Sequence, residues 1–145
     1  MRDQAGFTLL ELLTSVAILT IVAGLSLPVY ESFVRRNDLD LSAQTLAGML
    51  RRAETYARSG KNDTSWSVAI QSGVVTIFQG TSFASRNTAY DETYDIPDSI
   101  TASGLSEVQF SELKAAPHTT GTITLTSSTN DTRTLTLNAK GMVDY

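Results

Sequence analysis

Residues 6–30 of the chain read GFTLLELLTSVAILTIVAGLSLPVY, an apolar run interrupted by one carboxylate. No residue from Leu12 to Tyr30 is charged. As an α-helix these residues extend about 29 Å, close to the thickness of a bilayer core. A charged group within such a helix is costly and ordinarily has a partner or a task. The run therefore predicts a membrane helix in which Glu11 is a functional residue.

Composition excludes several classes of function. The chain has 145 residues, with 11 basic and 15 acidic side chains and a formal net charge of −4. This mildly acidic balance argues against a broad nucleic-acid-binding surface. No cysteine is present, which excludes disulfides and thiolate metal sites, and His118 is the single histidine. Because no nucleophile–base set or metal cluster is apparent, we expect neither an enzyme nor a cofactor.

The N-terminal region allows two ordinary interpretations, a cleaved signal peptide and a membrane anchor. Residues 1–6 form a short polar leader, and Val22-Ala23-Gly24 imitates the cleavage site of an ordinary signal peptide. A plain single-pass anchor would explain the apolar run alone, but it would leave Glu11 without a purpose. Gly24 and Pro28 both weaken a helix, so we expect a kink or a locally melted stretch there.

Beyond the apolar run the helical pattern becomes one-sided. Leu39, Leu46, Leu50, Ala53 and Ala57 recur at helical spacing, and Ser59-Gly60 suits the end of the helix. The pattern then alternates with period two, which predicts a hairpin at residues 66–77 around Ser72-Gly73. Residues 80–106 are polar and predict an irregular loop with one short strand near Ile100. Further strands are predicted at residues 107–111, 121–126 and 132–138, which with the two strands of the hairpin gives about five.

The segment Gly6-Phe7-Thr8-Leu9-Leu10-Glu11 resembles the class III signal of type IV pilins and type II secretion pseudopilins. The rest of the chain is similar to GspH/FimT-type minor pseudopilins at residues 47–60, 66–68, 120–125, 133–138 and 140–141. The resemblance implies an α+β, type IV pilin-like fold in which a long N-terminal helix packs on an antiparallel β-sheet head. It divides the chain into a leader (1–6), a transmembrane and assembly half-helix (7–30), an amphipathic half-helix (31–60) and a β-rich head (61–145).

The resemblance also implies a life cycle. Prepilin peptidase would cleave between Gly6 and Phe7 and methylate the new amine of Phe7. The subunit would wait in the inner membrane with its head outside the cytoplasm, then join other pilin or pseudopilin subunits through an inner-membrane assembly platform. The filament would be periplasmic or extracellular. In it, Glu11 would pair with the Phe7 amine of a neighbouring subunit, with Thr8 beside them, because an unpaired charge in an apolar filament core is expensive.

An alternative function is a tip or minor pilin whose head captures DNA or a secretion substrate. Some members of the family have a basic Gly-Arg-x-Arg end linked to DNA uptake, whereas this chain has Lys140-Gly141-Met142-Val143-Asp144-Tyr145. Nucleic acid is therefore not the favoured partner.

Other polar features favour ordinary surface roles. The acidic residues of the predicted loop, Asp91, Glu92, Asp95 and Asp98, suggest calcium, but their spacing fits no EF-hand and a solvated acidic loop is preferred. His118 is expected on the surface and Trp66 in the core. The triplets at residues 62–64 and 130–132 match an N-glycosylation pattern but are expected to be turns.

Overall fold

The computed structural model describes residues 6–145, without the side chains of residues 25–29 and 31. The chain divides into two compact units, Met1–Val34 and Arg35–Tyr145, which we call the N-terminal unit and the C-terminal unit. The predicted leader, residues 1–6, therefore lies almost wholly outside the described residues.

Within the described residues, one long helix precedes eight strands. The helix α1 spans Leu9–Arg58. The strands are β1 (Trp66–Gln71), β2 (Val74–Gln79), β3 (Asn87–Asp95), β4 (Ile100–Gly104), β5 (Glu107–Phe110), β6 (Gly121–Ser127), β7 (Thr132–Leu137) and β8 (Val143–Asp144).

The end of α1 follows the predicted signal. The last helical residue is Arg58, and Gly60 adopts a left-handed conformation with φ 65°. The Gly60 N–H donates to the Ala57 carbonyl at 3.2 Å, which satisfies one of the carbonyls left free at the end of a helix. Glycine tolerates this conformation because it has no Cβ.

The strands form two four-stranded antiparallel sheets, in the orders β3-β2-β1-β5 and β4-β6-β7-β8. The predicted hairpin is confirmed as β1–β2, where Gln71 pairs with Val74 and Gly73 turns the chain with φ 78°. The α+β class is also confirmed. The expectation of about five strands was wrong, since the described residues form eight, and strand number and order depend on long-range pairing that local patterns do not encode.

One apolar core joins the helix to both sheets in the C-terminal unit. The predicted stripe of α1 is buried in it, since Leu39, Leu46, Leu50, Ala53 and Ala57 are each 0% exposed. The sheets supply alternate inward-facing residues, among them Trp66, Val68, Ile77, Val108, Phe110, Ile123, Leu125, Leu135 and Leu137. Trp66 lies in the core as predicted, and its indole Nε1 donates to the Lys61 carbonyl at 2.9 Å.

The largest error of the sequence prediction lies in residues 80–106. Residues 87–95, predicted as irregular, form the nine-residue strand β3. β3 is an edge strand that pairs only with β2, and most of its side chains are exposed. Because neither face is deeply buried, the sequence lacks the apolar alternation that identifies a strand. Its acidic side chains have the further effect of discouraging edge-to-edge aggregation.

A polar cluster joins β3 to α1. Arg52 on α1 donates from Nε to the Tyr56 hydroxyl (2.6 Å) and from Nη1 to the Tyr94 hydroxyl (3.0 Å). Its Nη2 lies 3.0 Å from Glu92, and the Tyr56 hydroxyl donates to the other Glu92 oxygen at 3.0 Å. The hydrogen bond with Tyr56, aided by the Glu92 carboxylate, raises the pKa of the Arg52 guanidinium. Arg52 therefore remains a fixed cation that anchors the edge strand.

Replacing Tyr56 with phenylalanine is expected to destabilise the C-terminal unit by about 1 kcal/mol and to loosen β3 selectively. The substitution removes the hydroxyl between Arg52 and Glu92 but keeps the ring that packs 4.8 Å from Trp66. Hydrogen exchange of the full chain, compared with the wild type, should show a larger acceleration in β3 than in β6. Tyr90→Phe is the matched control, because Tyr90 is an exposed tyrosine on the same strand. Equal exchange in the two variants would contradict this role of the Tyr56 hydroxyl.

Gly104, the last residue of β4, lies where the backbone of β4 closely approaches that of β6. Its φ is +97°, and a Cβ built on it would lie 2.2 Å from the Thr122 carbonyl oxygen. The following residue, Leu105, donates its N–H to that same oxygen at 3.2 Å. Only glycine fits this position, because both the conformation and the space exclude a side chain.

Candidate functional site

The start of α1 is fixed by Thr8. The Thr8 hydroxyl oxygen accepts a hydrogen bond from the Glu11 backbone N–H at 3.2 Å, and the Thr8 carbonyl accepts from the Leu12 N–H at 3.1 Å. This is an N-cap, and Thr-x-x-Glu is the sequence signature of a capping box. Thr8 therefore has a role within its own chain, in addition to any role between subunits.

Gly6 has no evident purpose in the fold. A Cβ built on Gly6 would meet nothing within 4 Å, and its φ does not lie in the left-handed region. Neither close packing nor a special backbone conformation thus requires glycine here. If glycine is required at position 6, the requirement comes from an interaction with something other than residues 6–145.

The Glu11 carboxylate has no partner among the residues that the structure describes. Glu11 lies in the first turn of α1, where an acidic side chain interacts favourably with the helix dipole. Among residues 6–145, no cation or hydrogen-bond donor contacts its carboxylate. Leu10 and Leu12 flank it in the sequence, and Thr8, Thr14 and Ser15 lie one helical turn away, where they make hydrogen bonds with its backbone and not with its carboxylate. The described chain therefore presents an unpaired charge on an apolar helix.

The apolar surface around Glu11 is uncovered. Large hydrophobic side chains are exposed on all sides of the helix, including Phe7 (83%), Leu9 (77%) and Leu19 (67%). Others are Leu10, Leu12, Leu13, Val16, Ile18, Ile21 and Val22. A contiguous exposed apolar surface of this size marks a contact with a membrane or with another protein.

The few polar groups in this surface are satisfied internally. The hydroxyls of Thr14, Ser15 and Thr20 donate to helix carbonyls one turn earlier at 3.0, 2.7 and 2.7 Å. A hydroxyl bonded in this way needs no water. The helix can therefore enter an apolar environment with Glu11 as its main electrostatic cost.

Residues 24–28 keep a helical backbone within α1. No residue near Gly24 would contact a Cβ built there, and the Pro28 side chain is outside the described residues. The kink or melting attributed to Gly24 and Pro28 stays a prediction. Across the parts of the chain that the structure describes, no helix combines the length and apolarity needed to cross a membrane.

The other candidates have ordinary structural surroundings. Asp91 accepts from Arg86 at 2.8 Å, and Glu92 belongs to the Arg52 cluster, so both are ion-paired on β3 rather than free in a loop. Within residues 6–145, no group of three or more acidic or histidine side chains is arranged to hold a metal ion. His118 lies on the surface as predicted. The N-terminal segment is therefore the strongest candidate site.

Comparison with known proteins gives three findings. Residues 1–27 match the family described as "Prokaryotic N-terminal methylation motif". Two proteins of Pseudomonas aeruginosa, each called "Fimbrial protein", are 26% identical over 114 and 112 residues, or 79% and 77% of this chain. The aligned regions cover 64% and 62% of those proteins, so the chain spans less than two thirds of their length.

The fold resembles that of the minor pseudopilin EpsH from the Type 2 Secretion System of Vibrio cholerae. The TM-score is 0.56 and the identity 14%, with 74% of this chain and 94% of that one covered. The motif and the fold confirm the resemblance to type IV pilins and pseudopilins. Proteins of those families are structural subunits, not enzymes, in agreement with the expectation from sequence.

Proposed function

We propose that this chain is a prepilin-type structural subunit of a type IV pilus or type II secretion pseudopilus. Prepilin peptidase cleaves it after Gly6 and methylates Phe7. The helix over residues 7–30 holds it in the inner membrane with its C-terminal unit outside the cytoplasm. It then polymerises through the same helix with other pilin or pseudopilin subunits, at an inner-membrane assembly platform.

The observation that carries this proposal is the unpaired carboxylate of Glu11 on an exposed apolar helix. Assembly of such helices would cover the apolar surface, and the Phe7 amine of a neighbouring subunit would neutralise Glu11. In water each of the two charges is solvated and gains little from pairing. In an apolar filament core neither charge is solvated, so each needs a partner of opposite charge. The match to the N-terminal methylation motif supports this view, because cleavage after Gly6 creates the required amine.

The test is the N-terminus of the protein isolated from cells that contain a prepilin peptidase. Mass spectrometry should find N-methylated Phe7 as the first residue, with residues 1–6 removed. The same chain should then appear in filaments sheared from cells that contain the assembly platform. An unprocessed chain in those filaments would reject the proposal.

A Gly6→Val chain is expected to remain unprocessed while its C-terminal unit folds normally. The peptidase must approach the backbone at the cleavage site, and a branched side chain blocks it. The fold itself has no reason to reject valine, since a Cβ on Gly6 contacts nothing within 4 Å. Intact-mass measurement reports cleavage, and fluorescence of Trp66 reports folding. Gly24→Ala, at an equally open position, is the control and should be processed like the wild type.

The alternative, a tip or minor pilin, is supported by the similarity of the fold to a minor pseudopilin. The abundance of the chain in sheared filaments separates the two forms of the proposal: a major subunit forms the bulk of the filament, and a minor one appears in trace amounts. Capture of DNA by such a subunit has weaker support, because the described surface contains no paired arginines at the C-terminal end.

A further inference from the structure

A polar pocket of about 270 Å³ lies in the C-terminal unit, between α1 and the turn that joins β6 to β7. Arg36, Leu39, Asp131 and Arg133 line it. Leu39 is fully buried, so a ligand would meet chiefly two guanidinium groups and one carboxylate. The proposed function makes no use of this pocket.

The carboxylate side of the pocket is rigid. The turn closes with a hydrogen bond from the Ser127 N–H to the Asp131 carbonyl (2.9 Å), and the Ser127 hydroxyl oxygen accepts from the Asp131 N–H (3.2 Å). The Thr129 hydroxyl donates to the Asp131 carboxylate at 2.9 Å. Asp131 is thus held in place before any ligand arrives.

The two arginines are held differently. Arg133 is oriented by Asp40, at 2.6 Å from Nε, and by the Thr132 carbonyl, at 3.0 Å from Nη1. The Arg36 side chain is 71% exposed, and its Nε lies 3.8 Å from Asp131, beyond hydrogen-bond distance. Among the described residues this is its single polar contact. Arg36 is therefore a cation free to turn onto a ligand, opposite a fixed arginine.

These charges select a class of ligand. A plain anion would bind the arginines but would also face the Asp131 carboxylate, and a plain cation would face two guanidinium groups. A small zwitterion with a phosphate and a primary ammonium satisfies all three. Guanidinium groups match phosphate oxygens in geometry, and a primary ammonium donates hydrogen bonds to a carboxylate. A quaternary ammonium cannot donate them.

The position of the pocket in the chain indicates the source of that zwitterion. Arg36 follows Tyr30, the last residue of the uncharged run, by six residues. Six residues reach at most about 20 Å, and the headgroup layer of a bilayer begins where its hydrocarbon ends. If residues 7–30 occupy a membrane, as proposed above, Arg36 is within reach of the lipid headgroups.

We propose that this pocket binds the phosphoethanolamine headgroup of a membrane lipid while the subunit waits in the bilayer. The phosphate lies between Arg36 and Arg133, and the ammonium contacts Asp131. The lipid source rests on the proposed membrane stage, whereas the ligand chemistry rests on the pocket alone.

The test places the full chain in nanodiscs with equal amounts of phosphatidylethanolamine, phosphatidylglycerol and phosphatidylcholine. Native mass spectrometry then identifies the lipids that remain bound after release. We expect phosphatidylethanolamine to be enriched about fivefold over each of the others, and the enrichment to vanish in Arg36→Gln. Asp131→Asn should keep binding but lose the preference over phosphatidylcholine. Arg58→Gln removes an exposed arginine of the same helix, paired with Glu54 away from the pocket lining, and should behave like the wild type.

Equal retention by the wild type and Arg36→Gln would overturn the proposal. Enrichment of phosphatidylglycerol instead would overturn it in favour of a purely anionic ligand. Flotation with vesicles tests the membrane stage separately. If the chain does not float, soluble glycerophosphoethanolamine decides the pocket chemistry: shifts of the arginine Nε–H resonances that are lost in Arg36→Gln support a free ligand, and no shifts reject the site.

Discussion

A chain with Glu11 replaced by alanine is expected to be cleaved and methylated normally, yet to form filaments at about one tenth of the wild-type yield or less. Removing one member of a buried ion pair leaves the other charge unpaired, at a cost of about 3 kcal/mol. Each 1.4 kcal/mol is roughly a tenfold change in an association constant. In a proposed filament core, the unpaired group would be the Phe7 amine of the neighbouring subunit.

The substitution separates assembly from folding. Thr8 accepts its capping hydrogen bond from the backbone N–H of residue 11, which alanine retains, so the start of α1 should be preserved. Glu11→Gln keeps the size of the side chain without its charge and should assemble as poorly as the alanine variant. Glu11→Asp keeps the charge with a shorter reach and should recover part of the yield. Filament yield is measured by shearing and quantitative immunoblotting, and processing by intact mass. Wild-type yields from the alanine variant would refute the ion pair.

A Gly104→Ala chain is expected to lose about 3 kcal/mol of unfolding free energy in its C-terminal unit. The new Cβ would lie 2.2 Å from the Thr122 carbonyl oxygen, at a φ of +97° that alanine adopts only with strain. Relief requires β4 to move away from β6, which breaks the hydrogen bond between the Leu105 N–H and that same oxygen. The loss therefore combines strain with a broken contact between strands.

Trp66 provides the measurement for Gly104→Ala. It is the single tryptophan and is fully buried in the core, so its fluorescence follows unfolding of the C-terminal unit in the full-length chain. Gly48→Ala is the matched control. Gly48 lies inside α1 with open space around it, and alanine there should stabilise the unit by about 0.5–1 kcal/mol. A Gly104→Ala chain within 0.5 kcal/mol of the wild type, on the order of the usual effect of a surface change, would contradict the argument.

Much of the fold was predictable from local sequence patterns. The stripe from Leu39 to Ala57 predicted the buried face of α1, and Gly60 predicted its end, because both depend on neighbours within a few residues. The β1–β2 hairpin was predictable for the same reason. β3 was not, since an edge strand exposed to solvent has no apolar alternation to display.

The functional and polar sites likewise divide into those set by nearby residues and those set by long-range packing. Gly6, Phe7 and Glu11 belong to one short motif, residues 6–11, so they could be identified as candidates from the sequence. Thr8 could also have been recognised as an N-cap from the pattern Thr-x-x-Glu. By contrast, Tyr56 meets Glu92 across 36 positions and Arg133 meets Asp40 across 93. Contacts at such separations follow from the packing of α1 on the sheets. The spacing of these residues in the sequence therefore does not predict that they are in contact.

The unpaired carboxylate of Glu11 has a consequence for filament length. In the proposed assembly each subunit neutralises its neighbour, so a filament of any length keeps one unpaired Glu11 at one end and one unpaired Phe7 amine at the other. That electrostatic penalty arises once per filament rather than once per subunit. Joining two short filaments end to end therefore forms one additional ion pair, and a given number of assembled subunits has the fewest unpaired charges in few long filaments.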